Sequence, residues 1–520
     1  MSELEAGVIE GQTLEKDARL SADVCIIGSG AGGAVAAEVL SAAGLKVLVL
    51  EEGGYFTRER FRMREDECYP HLYQESAQRT SKDLSVSIFQ GRAVGGTTVV
   101  NWTTCFRTPE STVDRWRSHH AVAHVDLDSL VPWFERAEAR LNIKQTALEQ
   151  SNANNRLLWD GCKALNLEVD TLYRNTNGCV QSGYCGMGCP VDGKQSMLVT
   201  YLPDAIKNGA TVLSRCRVDR LRYSGEQVTG AECTLLDAAG LAPTGVKAMV
   251  TAKRFILSAG AIGSPALLLR SGTPDPHGRI GRRTFLHPVI VSAAHYHEPI
   301  HGYHGAPQSV ASHHFAHRGE EVGYFLEAAP IYPLLMATAL PGFGPRHREL
   351  MQKLPNISAH IALAIDGHHE GEEGGTVSLL NSGRPQLDYV VSPKTWAAFR
   401  DAQKSMAQIQ LAASQKPVEI LTLHTEPLVI RSERDIPRID DMPYAPCRVG
   451  VFSAHQMGGC GLSDDPKLGV ARSSDGKVHG VANLHVIDGS LFPTSCGVNP
   501  QLSIYGMAGL LSSRLAGAWV

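Results

Sequence analysis

The chain has 520 residues, 43% of them apolar and 20% charged, with a net charge of −4. That length exceeds what one hydrophobic core sustains, so two joined domains are expected, and the near-neutral balance without a long basic run leaves nucleic acid unsupported as a partner. No stretch of about 18 uninterrupted apolar residues offers a transmembrane span, and the acidic, polar opening has no signal-peptide pattern, which points to the cytoplasm or to a peripheral place on a membrane.

In chain order, residues 1–20 read as a polar arm. Residues 23–27 form a short apolar run, and Gly28, Gly30 and Gly33 follow as G-x-G-x-x-G. Residues 34–43 favour helix, and residues 46–50 are a second apolar run ending at Glu51. Strand, glycine turn, helix, strand and acid in this order specify a dinucleotide site. Gly28 permits the turn, Gly30 lets a pyrophosphate approach the backbone, Gly33 lets helix meet strand, and Glu51 is placed for ribose hydroxyls. The motif alone does not choose between a nicotinamide and FAD.

Residues 91–102, GRAVGGTTVVNW, are a second glycine loop leading into a β-branched run. Residues 112–166 have helical periodicity, with Leu127, Leu130, Trp133, Phe134, Ala137 and Leu141 on the apolar face. Residues 210–218 and 246–258 read as strands returning to the nucleotide fold, and residues 260–272 as a glycine turn into a short helix. Residues 290–440 are rich in histidine and proline, with alternating segments and a helix over 396–413, and suit an antiparallel sheet on the substrate side. Within them, residues 329–344 (APIYPLLMATALPGFG) are strongly apolar, which favours a lipid-like substrate. The chain ends in an apolar helix over 501–517.

Of twelve cysteines, nine are scattered and fit buried thiols. Cys179, Cys185 and Cys189 sit together in a glycine-rich loop, residues 171–195, spaced C-x5-C-x3-C. They suit iron–sulfur ligands on a loop whose glycines let amides approach the sulfides. They equally suit a structural loop with free thiols or a disulfide. A zinc site lacks a fourth ligand, since no histidine lies between residues 125 and 277.

The segments AHQMGGC (454–460) and NLHVIDGSLFPTSCGVNPQLSIYGMAG (483–509) complete the pattern. With the N-terminal unit, GGTTVVN and GAIGSPALLLRSG, they resemble the glucose–methanol–choline family of FAD oxidoreductases over most of the chain. The likeness is greatest to the long-chain alcohol oxidase branch, with bacterial cholesterol oxidases next. The cysteine spacing resembles that of iron–sulfur-bearing sugar dehydrogenases of the same family. The resemblance implies a Rossmann-like α/β FAD-binding domain over 21–290, an α+β substrate domain with an antiparallel sheet over 291–440, and a return to the FAD domain over 441–520.

It also implies roles at matching positions. Gly28, Gly30, Gly33 and Glu51 would hold the ADP half of FAD. Gly91, Arg92, Gly95, Gly96, Thr97 and Asn101 would line the flavin side. Val218 would meet the adenine, and Asp488 and Gly489 the ribityl-pyrophosphate. Val100 stands where members with covalent flavin carry histidine, so FAD is expected to bind non-covalently. His455 would be the active-site histidine and Asn499 its partner.

The chemistry expected is oxidation of a primary alcohol to the aldehyde. It removes a hydroxyl proton and a hydride from one carbon. A histidine, with an ordinary pKa of about 6.5, suits the proton, and the amide of Asn499 can orient the hydroxyl. The alternative is a sterol or sugar dehydrogenase passing electrons through a cluster to an acceptor protein or a quinone. The sterol enzymes add a carboxylate from the substrate domain, for which Glu327 and Asp366 are candidates. His287, in FLHP, is expected to be structural.

Overall fold

The computed structural model describes residues 7–520. The nucleotide unit forms where its local signals place it. Strand Ala18–Ile27 ends in Val24, Cys25 and Ile26, all fully buried, as an unbroken apolar run requires of a strand covered on both faces. It pairs in parallel with Val47–Leu50 on one side and with Pro243–Leu257 on the other. Beyond Val47–Leu50 the parallel order continues through Thr211–Ser214 to the edge strand Val8–Glu10. Leu484–Val486 also joins Pro243–Leu257 in parallel. Strands Gln227–Leu236 and Cys216–Ser224 extend the sheet antiparallel. The expected polar arm is therefore part of the sheet from Val8 onward; residues 1–6 lie outside the described residues.

Two other expectations are refined. The run read as one strand over 210–218 is two strands broken at Arg215, which stands at φ 53° and donates from its guanidinium to the Ala238 carbonyl. The helical stretch over 112–166 is three helices, Glu110–His120, Leu127–Arg140 and Ala153–Ala164, with left-handed residues at Ala121 and Asn142 ending the first two. Asp126 and Ser129 form a capping box that starts the second.

The substrate side is a largely antiparallel sheet. Val289–His295, Ile357–Ala364, Tyr324–Ala328 and Val310–Ser312 are successive neighbours, with Glu419–Thr422 and Val451–Ser453 alongside the first. Strand alternation divides its faces. Ile290, Ala294, Ala362 and Ala364 pack in one core with helices Ala153–Ala164 and Pro393–Ala412. Val289, Val291, Ala359, Ile361 and Leu363 turn the other way, toward a cavity. Ser392 caps the longer helix and Pro393 opens it. Three short segments that precede residue 290 also belong to this sheet: Arg79–Thr80, Val86–Ile88 and Asp170–Thr171.

A four-stranded sheet joins the two larger ones. Arg282–Phe285 lies between Gly375–Leu379 and Met457–Gly458, and Pro385–Asp388 completes it. The C-terminal helix Gln501–Trp519 returns to pack on Ala31–Ala42 and Leu127–Arg140. Among the described residues no helix is long and apolar enough to cross a membrane.

Candidate active site

A cavity of about 1080 Å³ runs between the nucleotide sheet and the substrate sheet. One end is the glycine turn. Gly28 stands at φ 104°, and a Cβ there would meet the Ser258 carbonyl at 2.2 Å, so only glycine fits. Gly30 differs: its Cβ would point at Gly96 Cα, 3.7 Å away, so two glycine loops face each other with nothing between their backbones. The N-terminus of helix Ala31–Ala42 opens there with no acidic residue in its first turn, an arrangement that favours phosphate. Glu51 is buried beside it. Its carboxylate accepts from the Ser29 amide at 3.0 Å, the Ser29 hydroxyl at 2.6 Å and the Gly53 amide at 2.8 Å, while burial pushes its pKa up.

Gly91, Arg92, Gly96, Thr97, Asn101 and Val218 all line the same cavity, as do Asp488 and Gly489. Two expected cofactor residues stand behind the wall. Gly33 packs against the Gly28 carbonyl, and Gly95 donates its amide to Ser29 Oγ at 2.9 Å. The Asp488 carboxylate is fully engaged by Gly260 N, Ser264 Oγ, Ser490 N and Ser490 Oγ. It ties two turns together, which leaves backbone rather than carboxylate for a ligand at this point. Lined by backbone amides, opposed glycines and a helix N-terminus at one end, and by apolar side chains at the other, the cavity fits an extended dinucleotide with a flavin head.

His455 and Asn499 both line this space. Asn499 is buried, and its Nδ2 lies 3.5 Å from Glu327 Oε2 while its Oδ1 has no partner. Glu327 Oε2 also accepts from Gln308 Nε2 at 2.6 Å, and Gln308 in turn accepts from Thr104 Oγ1. Full burial raises the Glu327 carboxyl to about 8, against the hydrogen bonds from Asn499 and Gln308, so it is protonated at neutral pH. Burial lowers His455 to about 4, so its imidazole is neutral there. Nδ1 of His455 lies 3.3 Å from Nδ1 of His287, leaving Nε2 for the cavity the residue lines.

Of the two carboxylates considered from sequence, Glu327 is the one that reaches the site. Asp366 instead accepts from the Leu286 and His287 amides and the Tyr389 hydroxyl, holding the FLHP turn. Alternation along YFLEA (324–328) is the signal that puts Glu327 on the inner side; nothing in the sequence marks Gln308 as its partner.

The cysteine loop forms an outer wall. Cys179 is exposed, Cys185 and Cys189 are half-buried, and all three thiols are free. Among the described residues, no group of histidine, cysteine and carboxylate side chains is arranged to hold a metal ion. All three cysteines line one small pocket together with Arg174 and Lys194. Buried Lys194 bolts the loop down: its ammonium donates to the carbonyls of Val99, Asn101 and Cys185. Tyr73 and Tyr332, both lining the cavity, donate to Gly186 and Gly183 of the loop.

Residues 69–289 and 372–508 match the N- and C-terminal family models of the GMC oxidoreductases, and residues 26–83 match an NAD(P)-binding Rossmann-like domain. An uncharacterised GMC-type oxidoreductase of Mycobacterium tuberculosis is 32% identical over 94% of this chain and 74% of its own. The chain belongs to the GMC oxidoreductase family. Long-chain-alcohol oxidase FAO4B of Arabidopsis thaliana is 28% identical over 96% of this chain and 67% of its own. The crystal structure of a pyridoxine 4-oxidase superposes with a TM-score of 0.70 at 18% identity, covering 94% of this chain and 98% of that one. As a GMC oxidoreductase the chain is an FAD-dependent redox enzyme.

Proposed function

We propose that this GMC oxidoreductase oxidises a primary alcohol with a long apolar chain to the aldehyde. The observation that carries this reading is the polarity of the cavity. His455, Asn499 and Glu327 line the same cavity as apolar walls: Val291, Ile361, Leu363 and Phe452 from the substrate side, Leu335 and Met336 from helix Pro333–Ala339. Apolar surface of that extent gains nothing from a sugar and binds methylenes at about 0.8 kcal/mol each.

Gly28, Gly30 and Glu51 hold the nucleotide half of FAD, and residues 91–101 with Asp488–Gly489 face the rest. Val100 in place of histidine leaves it non-covalent. Bound FAD supplies the hydride acceptor. Asn499 and Glu327 orient the hydroxyl. His455, neutral at working pH, takes its proton at Nε2. Glu327, also neutral, puts no negative charge beside the oxygen that is losing its proton.

One observation also favours a second reading, a sterol substrate. An extra carboxyl from the substrate domain is what the cholesterol oxidase resemblance asks for, and Glu327 supplies one 3.5 Å from Asn499 Nδ2. Anaerobic flavin reduction with alcohols of 2 to 16 carbons and with a sterol separates the two. Rates that rise with chain length, together with a loss of about 100-fold or more in His455→Ala, support the proposal. A sterol outpacing every linear alcohol transfers it to the second reading, and reduction by none of them ends both.

A further inference from the structure

Strands Arg282–Phe285 and Met457–Gly458 are antiparallel, with Thr284 opposite Gly458 and Phe285 opposite Met457. Each step along one strand is a step back along the other. Continued by two residues, that register sets 287 opposite 455. Farther on, Val289 pairs with Phe452, a shift of one, so the ladder is interrupted between the two pairings. The turns Leu286–Pro288 and Ala454–Gln456 thus lie side by side, fixed at both ends by strand pairing. The Ser453 hydroxyl reinforces this by donating to the Leu286 carbonyl and accepting from the His455 amide.

His287 sits in this gap under constraint. Its φ is 43°, left-handed, and a proline follows it, where extended backbone is the preference. Asp366 clamps the turn through the Leu286 and His287 amides. Phe325 packs edge-on against the ring at 5.8 Å. The result aims His287 Nδ1 at His455 Nδ1, 3.3 Å away, with Nε2 of His287 buried and without a partner.

We propose that His287 is the positioning residue of the base: its Nδ1 accepts the Nδ1–H of His455, which fixes the tautomer whose Nε2 lone pair faces the cavity. This rests on the reading of His455 as the base. When the substrate O–H bond breaks, its proton forms the Nε2–H bond and the electron pair stays on oxygen. His455 is then an imidazolium, and its Nδ1–H bond to His287 becomes charge-assisted and stronger. The groups acting on His287 are few. Burial, then His455, then His368 push it well below the ordinary histidine range, so it remains a neutral acceptor. His368 donates its Nε2–H to the Ser495 carbonyl, and Asp366 meets only backbone amides and a tyrosine hydroxyl near this turn.

His287→Leu removes the acceptor and keeps most of the volume. His287→Asn restores an oxygen close to the Nδ1 position and tolerates the left-handed backbone. With FAD-loaded protein under anaerobic conditions, the leucine variant should reduce its flavin about 10- to 100-fold more slowly with alcohol, with KM changed less than about threefold. Its acid limb should move to lower pH, since the imidazolium has lost its acceptor. The asparagine variant should recover to within about fivefold of the wild type. Histidine-selective 15N spectra should show His455 protonated at Nδ1 in the wild type and the asparagine variant, and mixed tautomers in the leucine variant. A leucine variant with the wild-type rate, pH profile and tautomer overturns the proposal, and so does an asparagine variant as slow as the leucine one. If instead His455→Ala reduces its flavin as fast as the wild type, the reading of the base fails, and the 15N spectra still judge the histidine pair.

Discussion

At the scale of the residue, His455 and Glu327 are displaced in opposite ways from their ordinary protonation. Burial lowers His455 to about 4 and raises Glu327 to about 8. With His455 as the proposed base, the imidazole must be deprotonated and the Glu327 carboxyl protonated, so kcat/KM should rise through the lower value, hold a plateau, and fall as pH passes about 8. Glu327→Gln keeps an oxygen for the Asn499 and Gln308 amides but cannot ionise, so it should lose the alkaline limb and keep the acid one. Stability follows the same carboxyl. Between its ordinary pKa of 4.5 and about 8, the folded chain holds a proton that the unfolded chain has released. Folding is therefore favoured less as pH climbs through that window. The wild-type melting temperature should fall more steeply than that of Glu327→Gln between pH 5 and 8. Parallel curves for the two proteins would show that Glu327 is ionised in the folded state. Glu327 was legible as a residue type on the inner side of a strand, whereas its proton was not, because burial of that depth is assembled from segments far apart in the chain, Gln308 and Asn499 among them.

At the scale of the element, what the sequence discloses is what local chemistry determines. The glycine turn, its helix and the acid after the second strand were legible because every part lies within 29 residues, 23–51. The break at Arg215 was not, since it arises from a side chain turning to the Ala238 carbonyl 23 positions on and lying over Phe56. The cysteine loop carries the same lesson. Its spacing suggested ligands, but its fixed point is Lys194, whose ammonium joins Cys185 to Val99 and Asn101 of the flavin-side loop. An unpaired buried carbonyl costs about 1 to 3 kcal/mol, and Lys194→Met would leave three. Part of that is offset because the methionine brings no buried charge. The variant should melt several degrees lower and lose FAD on gel filtration under conditions in which the wild type keeps it. Full FAD retention at an unchanged melting temperature would mean that the two loops hold each other without the lysine.

At the scale of the whole molecule, the cavity exists because two sheets are joined by a chain that crosses between them repeatedly. Val86–Ile88 leaves the first half of the chain to pair with Val451–Ser453, and the chain from there returns through Met457–Gly458 to Leu484–Val486. Sequence pattern alone separated nucleotide from substrate segments, but it could not reveal these crossings, which rest on pairings hundreds of residues apart. They also set the apolar inner face of the substrate sheet against the cavity, with helix Pro333–Ala339 packed over part of it. Ala359 lies on this face, in the central strand Ile357–Ala364, among Ala293, Leu421 and Leu423. A phenylalanine there would fill the apolar arm beyond the reacting end. At about 0.8 kcal/mol per methylene, excluding four methylenes from the arm removes about 3 kcal/mol of binding. Ala359→Phe should therefore lower kcat/KM for a C12 or longer alcohol about 100-fold and leave a C4 alcohol within a few fold. The flavin spectrum should be unchanged, because the substitution is on the substrate sheet and not on the glycine loops. Equal losses for short and long alcohols would show that the chain leaves the site by another route, and a gain for long alcohols would show that the arm stays empty during turnover.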